Sequence, residues 1–122
     1  MGLMDISFRL SLLETDLCNL RMTNEERAQI KPISQPKHHT KEEYADFIKE
    51  RLRCINELLN RPSDTLNSKT IALFPRWSQT YTQLVDRLLS MPDVHKDLRD
   101  MVATAKEKIN FVQKQCAEKQ HI

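Results

Sequence analysis

Apolar side chains recur along this chain at alternating intervals of four and three, the spacing that stacks them on one face of an α-helix. Ile6, Leu10, Leu13, Leu17 and Leu20 form an unbroken 4-3-4-3 stripe, which predicts a first helix over about residues 5–22. Its seam is narrow enough for a coiled coil. Tyr44, Ile48, Leu52, Ile55 and Leu59 repeat the step and, widened by Phe47 and Leu58, predict a second helix over 41–60. Trp77, Tyr81, Leu84 and Leu88, with Val85 and Leu89 beside them, mark a third over 75–90. Val94, Leu98, Met101, Ala105, Ile109, Val112 and Cys116 mark a fourth over 93–118. At 1.5 Å per residue that last helix is roughly 38 Å long, enough to form one full side of a bundle.

The ends of these segments carry matching signals. Thr23 and Glu26 stand at capping-box spacing, which adds a short helical turn over Asn24–Ile30. Thr40 and Glu43 repeat the box at the start of the second long helix. That helix stops before Arg61 and Pro62, because a residue preceding proline is pushed out of the α region. Pro75 suits the first position of the third helix, where a missing amide costs nothing, and Asp93 suits the cap of the fourth. Residues 31–39, KPISQPKHH, hold two prolines and no stripe and read as the linker. Residues 63–74 read as a loop with one or two helical turns capped by Ser63 or Ser68.

The short link between the third and fourth helices makes them antiparallel neighbours. The simplest way to bury four stripes is a single all-α domain over 1–122, a four-helix bundle of up-and-down order with one or two extra helical turns. A three-helix core with the first helix swapped onto a partner chain is the alternative.

Composition narrows the function. The only glycine is Gly2, where average usage would place about eight or nine. Phosphate-cradling loops, dinucleotide fingerprints and nucleophile elbows all depend on glycine, so none can be drawn here. The charge is 19 positive against 17 negative and is spread evenly along the chain. This is not the balance of a nucleic-acid tail. Cys18, Cys54 and Cys116 are odd in number and widely spaced, which fits reduced thiols in the cytoplasm better than a disulfide framework. The longest uncharged apolar run is a handful of residues, too short to span a membrane, and the N-terminus lacks a signal-peptide pattern.

Candidate chemistry is sparse. His38 and His39 are adjacent imidazoles, but no third ligand lies at metal-site spacing, so no metal or cofactor is expected. Each cysteine lies on or next to an apolar helical stripe, where it behaves as a small hydrophobe. His95 with Asp97 lacks a serine with an oxyanion loop, and no Glu-x-x-His pair of the di-iron kind is present. Catalysis is therefore not expected. Phe74, Arg76 and Trp77 are the best partner-binding candidates, because Trp and Arg dominate interface hot spots and Pro75 would hold them rigidly. These residues, with the long seams of the first and fourth helices, point to an adaptor, regulator or assembly factor that binds another protein or a second copy of itself. The rival is a nucleic-acid-binding regulator using Lys37, His38, His39, Lys41, Arg51 and Arg53, a set diluted by the acids on the same helix.

Overall fold

A computed structural model describes residues 2–38, 40–62, 65–92 and 94–120. Among them the chain forms five helices and no strand: α1 (Leu3–Arg21), α2 (Asn24–Ala28), α3 (Lys41–Leu59), α4 (Ser68–Leu89) and α5 (Lys96–Gln120). The four long helices pack into a bundle around one core, in which α1 and α5 each lie against both α3 and α4. Helix α1 packs within its own chain, so no swap onto a partner is needed to complete the core.

The expected stripes are the core. Ile6, Leu10 and Leu17 of α1, Ile48, Leu52 and Ile55 of α3, Tyr81 and Leu88 of α4, and Ala105 of α5 are all fully buried. The seams of α1 and α5 therefore face their own bundle, as burying all four stripes in one bundle requires, and are not left over for a neighbour's helix. On α5 the working register is Leu98, Val102, Ala105, Ile109, Val112 and Cys116; Met101 is only partly buried beside it.

The order of directions departs from strict up-and-down alternation at the first crossover. Glu14 meets Arg51, and seven residues on Arg21 meets Leu58, so α1 and α3 run parallel. In contrast, Leu20 meets Thr70 and Leu13 meets Trp77, so α1 and α4 are antiparallel. Asp86 meets Lys106 and Ser78 meets Gln113, which makes α4 and α5 antiparallel as their short link requires. The physical reason lies in the 22–40 connection. It is long enough to return the chain along the bundle, so the next helix starts again from the end where α1 began.

The starts of α4 and α5 differ from expectation. Helix α4 begins at Ser68, not at Pro75, because Asn67 caps it by accepting the Thr70 amide at 2.9 Å. The stripe of α4 begins with Thr70, a polar residue whose burial its hydroxyl permits by donating to the Leu20 carbonyl. Pro75 sits inside this helix on its exposed side and offers no amide to the carbonyl of Ile71. Helix α5 begins at Lys96, with the His95 carbonyl accepting from the Leu98 and Arg99 amides; Asp93, the expected cap, lies outside the described residues.

The capping box of Thr23 and Glu26 is complete, with both bonds at 3.1 Å. At Thr40 only half of the expected box forms: the hydroxyl accepts the Glu43 amide, while the Glu43 carboxylate reaches past Thr40 to the His38 amide at 2.7 Å. Ser63, offered as a cap, lies outside the described residues.

Candidate protein-docking groove

Helix α1 presents three stripes, and only the inner one is ordinary. The second consists of Ser7, Ser11, Glu14, Cys18 and Arg21, polar or weakly polar residues again stepping by four and three. All but the half-buried Cys18 are buried. The third consists of Met4, Phe8 and Leu12, spaced by four, which are 57%, 55% and 50% exposed. A helix that is apolar on two sides is normally buried on both.

The polar stripe faces α3 and the crossover, where Ser7, Ser11, Glu14 and Arg21 each make at least one hydrogen bond. Ser7 and Ser11 donate to the carbonyls of Met4 and Phe8 in the preceding turn. Glu14 accepts from Arg51 at 2.7 Å in an ion pair whose two side chains are 7% and 14% exposed. Arg51 also stacks over the Phe47 ring, 5.2 Å from its centroid. Arg21, 1% exposed, donates to the Leu58 and Arg61 carbonyls and so caps the C-terminal end of α3. Residues 30–34 run across this side and leave a cleft of about 570 Å³ above Cys18 and Cys54. Burial outweighs the attraction of Arg51 and raises the Glu14 pKa, and it likewise lowers that of Arg21. Burial also pushes Cys54 up to about 11 and raises Cys18 and Cys116. All three cysteines are free thiols, and the raised pKa values favour the protonated form.

The other side of α1 is open. Here α1 and α4 form a shallow groove that continues from a cavity of about 540 Å³, beside Phe8 and Leu12, to one of about 320 Å³ beside Leu73 and Arg76. Leu13, Asp16 and Thr80 border both cavities. Trp77 forms the floor. Its indole N–H donates to the Leu13 carbonyl at 2.9 Å, and its ring stacks between Phe74 and Tyr81 with centroids 5.7 and 5.1 Å away. Burial raises the Tyr81 pKa, which keeps its hydroxyl neutral. Leu73, 45% exposed, adds an apolar edge from α4.

The structure divides the residues singled out from the sequence. Phe74 is fully buried and Trp77 is 5% exposed, so both are core residues and not projecting anchors. Arg76 alone of the three is exposed, at the rim of the groove. Arg51 is held by Glu14, and Arg53, half exposed, pairs with Glu50 and Glu57. Lys37, His38 and Lys41 are exposed around the start of α3, away from those two arginines; His39 lies outside the described residues. Among the described residues no three His, Cys, Asp or Glu side chains converge as metal ligands, and no helix is long and apolar enough to cross a membrane.

The outer stripe of Met4, Phe8 and Leu12 was missed in the sequence pattern although it was visible there, because the inner stripe alone sufficed to define the helix. Glu14 and Arg21 gave no such signal, since a charged residue one position from an apolar stripe reads as solvated. No family model, no curated protein and no solved structure matches this chain.

Proposed function

We propose that this protein is a helical binding module of a reducing compartment such as the cytoplasm, an adaptor, regulator or assembly factor that docks another protein against the outer face of α1 and the groove beside α4. It acts by binding and not by catalysis. The observation that carries this reading is the half-exposed stripe of Met4, Phe8 and Leu12 on a helix whose inner face is already fully used. Phe8 and Leu12 line one cavity of the groove and Leu73 the next. Single exposed apolar residues are common and need no explanation, but contiguous ones mark contact surfaces. The neighbouring floor of Trp77, fixed by its hydrogen bond and two ring contacts, gives the groove a rigid base. A rigid base lowers the entropy cost of docking.

The test compares the proteins captured from cells by the tagged chain, by Phe8→Ser/Leu12→Asp, and by Glu107→Ala on the exposed side of α5. The expected result is at least one protein retained by the parent and Glu107→Ala but lost with the double variant. Indistinguishable sets from all three would overturn the reading.

A further inference from the structure

We infer that the α1/α4 groove selects an acidic amphipathic helix, an inference that rests on the docking role proposed above and specifies its partner. The groove carries four cations, Arg9 and Arg87 toward one end and Lys69 and Arg76 toward the other, against two carboxylates, Asp5 and Asp16. None of the four cations has a carboxylate or other side-chain partner among the described residues. Elsewhere on the bundle, the guanidiniums of Arg51, Arg53 and Arg61 each sit on a glutamate. The groove thus combines an apolar strip with unneutralised positive charge at both ends.

Shape narrows the occupant. The two cavities follow α1 from Asp5 to Leu20, a run of about 23 Å at 1.5 Å per residue. That length fits about four turns of a partner helix whose apolar residues at i, i+4 and i+7 meet Phe8, Leu12 and Leu73. Acids flanking that stripe would reach the four cations. A second copy of this chain fits less well, because a two-fold contact places the same surface on both sides. Four cations would then face four cations, with only two carboxylates per copy to relieve them.

The test titrates the full chain, ¹⁵N-labelled, with three synthetic helices of about 16 residues. All carry the same leucine stripe, flanked by Glu, by Gln or by Lys. The Glu-flanked helix is expected to bind about tenfold more tightly than the Lys-flanked one at low salt, through several exposed charge pairs acting together. Its shifts should centre on Phe8, Leu12, Leu73 and Arg76, and added salt should shrink the difference. Arg9→Glu/Arg76→Glu, two exposed substitutions, should reverse the order.

Equal binding of all three helices at the groove would overturn acidic selection while leaving the docking role standing. If no helix binds, or if sedimentation gives a dimer that Leu12→Asp dissolves, an acidic helical partner is overturned. The cellular capture with Phe8→Ser/Leu12→Asp then decides the docking role separately.

Discussion

The two flanks of α1 treat their residues in opposite ways. Toward α3 the helix buries Glu14 and Arg21, while toward α4 it leaves Phe8 and Leu12 half exposed. Topology accounts for the difference. The connection after α1 is long, turns through α2 and returns over the α1/α3 side, where residues 30–34 form the outer wall of the cleft beside Glu14, Cys18 and Arg51. Each buried charged side chain there gains a partner, Glu14 from Arg51 and Arg21 from two carbonyls at the end of α3, while Glu14 Oε1, Arg21 Nη1 and Arg51 Nε stay unbonded. The two cavities on the α1/α4 side are lined by residues of α1 and α4 alone. The comparison teaches that exposure on this helix follows what packs beside each residue, and not the polarity of the residue.

The largest expected effect lies on the inner stripe common to both flanks. Leu10→Ala or Leu17→Ala should cost about 2–5 kcal/mol by urea unfolding, as large-to-small changes in a packed core do. A cost below about 0.5 kcal/mol would show the stripe is not core. On the closed flank, Glu14→Ala should cost about 3 kcal/mol, since it leaves the nearly buried guanidinium of Arg51 unpaired. Glu14→Met/Arg51→Met should recover most of that loss, and a double variant no better than the single one would refute a buried ion pair.

A smaller effect is carried by pH. Because burial raises the Glu14 pKa, the folded state holds this proton more readily than the unfolded chain. Its contribution is most favourable at low pH and weakens as pH rises from the usual glutamate value through the raised one. Glu26 has the opposite sign: the Thr23 amide and Arg61 hold its carboxyl below the usual value. Its contribution is present above the usual value and is lost as pH falls through the lowered one. Urea unfolding from pH 3 to 7 (roughly the carboxylate range) should therefore show opposite slopes for the parent measured against Glu14→Gln and against Glu26→Gln. Parallel slopes would contradict the two environments. Smallest of all, Leu12→Ala on the open flank should change stability by no more than about 0.5 kcal/mol.

Much of the fold was legible because its signals were local. The α3 boundaries, the Thr23 box and the inner α1 stripe follow from spacing and capping chemistry alone. The start of α4 was obscured because its stripe opens with Thr70 and its cap is Asn67, while Pro75 offers a competing start seven residues later. The parallel run of α1 and α3 depends on how far the 22–40 segment travels, which no periodicity records. The site was harder to read. Trp77 and Phe74 had the composition of an interface, yet the 4-3-4 step they share with Tyr81 and Thr70 places them inside. Arg76, one residue off that step, faces outward at the groove rim.

The most direct test of the open flank as a docking surface is site-specific photo-crosslinking in cells, with p-benzoylphenylalanine in place of Phe8 and, separately, of Glu107. We expect a discrete crosslinked species of higher mass from position 8, abolished by Leu12→Asp, and none from position 107. No crosslink at position 8, or the same species from both positions, would contradict the account.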